Sequence, residues 1–132
     1  MAKRNPRVYH TQQVHYLRKT VDFNTTGVAT GVLMGTLPAG AQIIDCVVNV
    51  VTAFNAGSTN VLTVGTNSTD FNNIMGSSDI TEGTPGGYRA LTGAGVEFAA
   101  DADVYIKYTQ SGTTADTGQA VVVVAYVPNN DQ

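Results

Sequence analysis

The stretch Ala41-Gln-Ile-Ile-Asp-Cys-Val-Val-Asn-Val-Val-Thr-Ala-Phe54 decides the fold. Its β-branched residues recur with a period of two, not the 3.6 of a helix. The even positions are Ile44, Cys46, Val48, Val50, Thr52 and Phe54, and they read as a core face. The odd positions are Ile43, Asp45, Val47, Asn49, Val51 and Ala53, more apolar than a freely solvated face requires. Fourteen residues exceed the usual length of one strand, so a bulge or bend is expected inside it.

The pattern continues on both sides. Leu37-Pro-Ala-Gly40 is a turn, and Asn55-Ala-Gly57-Ser-Thr is a hairpin loop leading into Asn60–Thr66, where Leu62 and Val64 alternate with small residues. Upstream, a strand is expected from Tyr16 to the turn Asn24-Thr-Thr-Gly27. A second is expected over Val28–Thr36, where Gly31 and Gly35 signal a bulge or a close backbone approach. Downstream, residues 67–87 form a long polar connection in which Phe71, Ile74, Met75 and Ile80 read as a short helical turn over one end of the core. Tyr88–Leu91 and Val96–Ala99 are short strand candidates. Asp103–Thr109 points Val104, Ile106 and Tyr108 inward, and Gln119–Val127 closes the fold. About eight strands and no helix predict an all-β, two-sheet β-sandwich of jelly-roll or Greek-key type with an extended basic N-terminal arm. The predicted core is Ile44, Cys46, Val48, Val50, Leu62, Val64, Val104, Ile106, Val121 and Val123.

Charge is sorted along the chain. Of its seven cations, Lys3, Arg4, Arg7, Arg18 and Lys19 lie in residues 1–19, which hold no acid; all ten acids and only Arg89 and Lys107 follow. A basic arm therefore precedes an acidic body, and this asymmetry concerns partners more than fold. The organisation expected is an arm over residues 1–15 and one β-sandwich domain over 16–132. Val8, Tyr9, Tyr16 and Leu17 add apolar handles among the cations. The expected partner-binding set is thus Lys3, Arg4, Arg7, Val8, Tyr9, Tyr16, Leu17, Arg18 and Lys19. Only 13% of the residues are charged, which suggests that much of the surface meets other protein. A homo-oligomer, as a trimer, would bury the second faces of Ala41–Phe54 and Gln119–Val127.

Several functions are argued against. His10 and His15 both lie in the arm, and no histidine lies in the body to serve a nucleophilic serine or a metal. No P-loop, Gly-x-Ser-x-Gly or zincin motif is present. Asp101 and Asp103 could suggest calcium, but their setting reads as a turn. Cys46, alone in an apolar run, reads as a buried inert thiol. No cofactor and no enzymatic activity are expected. No apolar run reaches bilayer length and the basic start lacks the apolar region of a secretory signal, so no membrane partner is expected. The acidic body argues against nucleic acid as the main partner.

Leu37-Pro-Ala-Gly-Ala-Gln-Ile-Ile-Asp-Cys-Val-Val-Asn-Val-Val-Thr-Ala-Phe-Asn-Ala-Gly57, Asn60-Val-Leu-Thr-Val-Gly-Thr66, Val104-Tyr-Ile-Lys-Tyr-Thr-Gln-Ser-Gly112 and Val121-Val-Val-Val-Ala-Tyr-Val-Pro128 together resemble small virion proteins of tailed bacteriophages, most of all capsid cement, or decoration, proteins. The resemblance implies a non-enzymatic protein on the phage head surface that binds the major capsid protein and stabilises capsomer contacts, commonly as a trimer. The Ser/Thr/Asn-rich loops leave one alternative open, a tail-fibre or receptor-binding module that recognises host carbohydrate. The arm lies outside the clearest resemblance, and its role rests on its residues alone.

Overall fold

A computed structural model describes residues 13–91 and 99–128. The described chain forms seven strands: β1 (His15–Asp22), β2 (Val32–Leu37), β3 (Gln42–Thr52), β4 (Thr59–Gly65), β5 (Gly86–Arg89), β6 (Ala102–Ser111) and β7 (Gln119–Val127). They make a four-stranded sheet ordered β1-β7-β3-β5 and a three-stranded sheet ordered β2-β6-β4, with every paired neighbour antiparallel. Odd strands lie in one sheet and even strands in the other, so every connection between successive strands crosses the sandwich. That is jelly-roll order, with the strand that would flank β4 reduced to one bridge, Val64 to Met75. The expected strand at 96–99 falls largely outside the described residues.

The core lies between the sheets. β3 contributes Ile43, Cys46, Val48 and Val50, β7 contributes Ala120, Val122 and Val124, and β4 and β6 contribute Leu62, Val64, Val104, Ile106 and Tyr108. Phe54 packs against the Tyr108 ring at 4.7 Å between centroids. Three members of the predicted core are corrected. Ile44 is exposed and its neighbour Ile43 takes the buried place, because the β3–β7 register shifts between Ile43 and Asp45. A bulge adds one residue without adding a partner, and on one side of it the alternation is inverted. Val121 and Val123 face outward, half-buried, while Val122 and Val124 fill the core. A second shift between Val50 and Thr52 leaves Val51 exposed in the same way. The bend expected in this long strand is therefore two bulges.

Two other segments depart from the sequence pattern. Val28 to Gly31 is a series of turns, with the Gly31 N–H donating to the Gly27 carbonyl at 2.9 Å, and β2 starts only at Val32. Gly27 and Gly31 have positive φ (82° and 119°), which ends the extended run. Gly35 sits at a bulge in β2, and a side chain there would strike Leu17 of the opposite sheet. Ile74, Met75 and Ile80 do cover the core, but in extended and turn conformations; no helix forms there. Ile74 and Met75 both donate to the Val64 carbonyl, at 3.0 and 2.9 Å.

Candidate partner-binding surfaces

The two edges of β4 and β1 are treated differently. The outer edge of β4 is closed by the chain itself. Leu62 N–H donates to Glu82 Oε2 at 2.7 Å, Val64 N–H to the Met75 carbonyl at 3.1 Å, and Thr66 N–H to Asn73 Oδ1 at 2.7 Å. An uncovered strand edge is a template for pairing with other chains, and residues 66–82 remove that template here. Glu82 is buried, and loss of water pushes its carboxyl above the ordinary glutamate value; the Leu62 N–H partly offsets this by favouring the carboxylate. Sequence reading missed this residue, since a glutamate in a polar loop carries no mark of burial. Asn60 Oδ1 accepts from Ala56 N–H and from the buried Tyr108 hydroxyl, so the polar groups at this end of the core are paired.

The β1 edge carries the described part of the predicted binding set. Tyr16 and Arg18 project outward and are exposed, Tyr16 at 65%. Leu17 and Lys19 point the other way: Leu17 packs on the core against Gly35, and Lys19 is half-buried. Period two in a strand divides the four residues between two faces. Lys3, Arg4, Arg7, Val8 and Tyr9 lie outside the described residues. His15 stacks on Tyr126 across β7, with ring centroids 5.6 Å apart.

The two outer faces of the sandwich also differ. On the three-stranded sheet, Phe71 covers Tyr105 with centroids 4.5 Å apart, and Lys107 Nζ donates to the Thr69 carbonyl at 2.8 Å. Thr69 and Phe71 hold positive φ (69° and 45°), an unfavourable backbone for both residue types. Asn67 fixes this loop by accepting from Asn72 N–H at 2.8 Å. On the four-stranded sheet no loop plays this part among the described residues. Its outer face runs Arg18, Val123, Val47, Arg89 along one row and Thr20, Val121, Asn49, Gly87 along the next. Arg89 pairs with Asp45 at 3.1 Å.

Among the described residues, the remaining acidic groups brace turns. Asp101 accepts from Ala39 N–H at 2.9 Å and Asp103 from the Thr36 hydroxyl at 2.7 Å, so the Asp-x-Asp pair braces the turn between β2 and β3. Burial pushes the Cys46 thiol up to about 12, with the charge of Asp45 adding to the effect. Among the described residues, no group of three or more His, Cys, Asp and Glu side chains could hold a metal ion. None of them forms a helix long and apolar enough to cross a membrane.

Neither protein-family models nor curated proteins match the chain. Solved structures do. A chain of the cyanophage Pam1 capsid asymmetric unit is similar with a TM-score of 0.62 and 23% identity, over 89% of this chain and 85% of that one. A chain of the acid-stable capsid of Helicobacter pylori bacteriophage KHP30 is similar with a TM-score of 0.64 and 16% identity, over 89% and 93%. A chain of the Ralstonia phage GP4 capsid is similar with a TM-score of 0.57 and 16% identity, over 89% and 84%. At these identities the likeness is one of fold. The reciprocal coverages are close, so each neighbour is a chain of about this one's size, matched almost from end to end.

Proposed function

We propose that this chain is a structural component of a phage virion, a cement or decoration protein that binds the outer surface of the head and ties neighbouring major capsid proteins together. One observation carries the reading: chains of three phage capsids share this fold over nearly their whole lengths. The matched chains are about the size of this one, which favours a small added protein over a larger shell subunit. The composition agrees, with few charges and no catalytic constellation in the sequence. Cementing needs only modest free energy at each contact, because many copies and several contacts per oligomer act together. A homo-trimer supplies that multivalency. The basic arm, residues 1–15 with its root at Tyr16–Lys19, serves as the anchor: its cations meet capsid carboxylates and its aromatic and aliphatic residues supply buried contact.

Two measurements test this. Quantitative mass spectrometry of purified particles should find copies in proportion to the capsomer sites of the shell. Purified protein should rebind particles that lack it and raise their resistance to heat or chelator. A handful of copies per particle, or binding to host cells in place of shells, would transfer the protein to the tail and refute the cement reading.

A further inference from the structure

We propose that the open edge of β1 receives an extended, acidic segment of another protein as an added antiparallel strand. The inference goes beyond the cement reading and does not depend on it. Its first support is the direction of the backbone groups. β1 pairs with β7 without a register shift from His15 to Asp22, and the next residue, Phe23, donates its N–H to the Gly118 carbonyl at 3.0 Å. Bonded and non-bonded pairs alternate along an antiparallel ladder, so Phe23 fixes the phase. His15, Leu17, Lys19 and Val21 turn their N–H and C=O toward β7, while Tyr16, Arg18, Thr20 and Asp22 turn theirs away. Asp22 agrees, since its N–H is capped by Thr25 Oγ1 at 2.8 Å. Tyr16, Arg18 and Thr20 have no such cap among the described residues, and all three are exposed. Each offers one donor and one acceptor, a row about 14 Å long on a regular strand. The chain closes the β4 edge at Leu62, Val64 and Thr66 but closes β1 only at Asp22, its acidic end. An open row of this kind takes up an extended peptide by main-chain bonding.

Charge selects the occupant. The open length carries Arg18 on the outer face and Lys19 on the core side, and neither forms an ion pair among the described residues. Edge cations repel a like strand. That disfavours β1 of a second copy, and also residues 1–12, which carry Lys3, Arg4 and Arg7 and no acid. The complement is a strand with two successive carboxylates, one opposite Arg18 and one opposite Lys19, because neighbours in a strand project to opposite faces. No two acids are adjacent anywhere in this chain, and its closest pair, Asp101 and Asp103, has the spacing that puts both on one face. The matching segment therefore belongs to a different protein. A phosphate surface would satisfy the cations but brings no row of N–H donors for the carbonyls of Tyr16, Arg18 and Thr20.

The test uses the full chain and needs no particle. The probe is a capped peptide of alternating threonine and valine with two adjacent glutamates at its centre; a twin peptide carries two lysines in their place. Amide hydrogen exchange is followed residue by residue by NMR. In the free chain the amides of Tyr16, Arg18 and Thr20 should exchange fast and those of Leu17, Lys19 and Val21 slowly. Millimolar glutamate peptide should slow the first three by about tenfold or more, and the lysine peptide should not. Arg18→Glu should weaken the glutamate peptide about tenfold and favour the lysine peptide. Lys107→Glu, the same charge change on the other sheet, should bind like the native chain. Thr20→Pro removes one outward N–H but spares both cations and the β7 bonds, and should also weaken the peptide; a thermal melt checks that it folds. Slow exchange at the three amides in dilute free chain would mean that a segment of the same chain fills the edge, and slow exchange only in concentrated protein that a second copy does. Either result overturns the proposal, as does equal protection by both peptides or by neither. A failure to rebind particles would refute the cement reading and leave this result untouched.

Discussion

Ile43 and Ile44 are identical neighbours whose exchange for alanine should have very different costs. Ile43 is 1% exposed between the sheets and Ile44 is 44% exposed at the bulge. Ile→Ala removes three carbons, worth ~0.8 kcal/mol each when buried, or about 2.4 kcal/mol. The space left between two packed sheets adds roughly another 1 kcal/mol, which places Ile43→Ala inside the usual 2–5 kcal/mol for such deletions. Ile44→Ala leaves no cavity and should cost less than about 1 kcal/mol. For a domain of this size each kcal/mol lowers Tm by roughly 3–6 °C, so Ile43→Ala should melt roughly 10–20 °C early. The assay is urea and thermal unfolding followed by circular dichroism at two protein concentrations. The Ile43→Ala loss should be independent of concentration, since it arises within one chain. Any Ile44→Ala loss should stay below about 1 kcal/mol at both concentrations. Equal losses in dilute protein, or a larger loss at Ile44, would refute the bulge and restore simple alternation through the strand.

Other outcomes follow from the same geometry. Glu82 has its folded value raised above the ordinary 4.5, so the stability it contributes is complete below that value and is lost as pH rises through the raised one. Glu82→Gln keeps an acceptor for Leu62 N–H, and should stabilise the protein at neutral pH and flatten urea midpoints across this window; Glu82→Ala should lose ~1–3 kcal/mol by orphaning the amide. Cys46, with its thiol raised to about 12, should resist maleimide at pH 8 in the folded protein and react at once in urea. Gly35→Val should destabilise strongly by driving a side chain into Leu17, and Leu17→Ala in the same chain should recover part of the loss. Under the proposed function, deletion of residues 1–15 should weaken particle binding more at low than at moderate salt while leaving the thermal melt within a few degrees. Unchanged affinity at both salts would discard the anchoring arm.

The sequence pattern was legible wherever strands are regular. Cys46, Val48 and Val50 lie between the two β3 bulges, and there alternation held; it failed at Ile44, the inserted residue of a register shift that no side chain announces. Val121–Val124 offers no period because every residue is valine, and the phase is set by pairing: Val122 lies opposite Val48 and shares its face. Gly35 was readable, since a glycine inside a strand signals close approach. Residues 66–82 were readable as a cover through Ile74, Met75 and Ile80, but their use as an edge cap was not. That role depends on backbone N–H groups and on Glu82, whose burial is a tertiary fact. The division of Tyr16, Leu17, Arg18 and Lys19 between two faces follows from strand period once β1 is known to be an edge with a core side.

His15 pairs with Tyr126 at one rim of the sandwich, and Asp22 pairs with Gln119 at the other. The polypeptide therefore enters β1 and leaves β7 side by side. Under the proposed function, a cargo fused after β7 would emerge beside the start of β1 and compete with the contact proposed for the arm. The loop Gly112–Gly118 opens at the opposite rim, where Asn55 accepts from Asp116 N–H and Thr117 N–H at 2.9 and 3.0 Å. An insertion after Thr113 or Thr114, both exposed, would leave those two bonds in place. For engineered display, the usable attachment point is this internal loop and not the more familiar end of the chain.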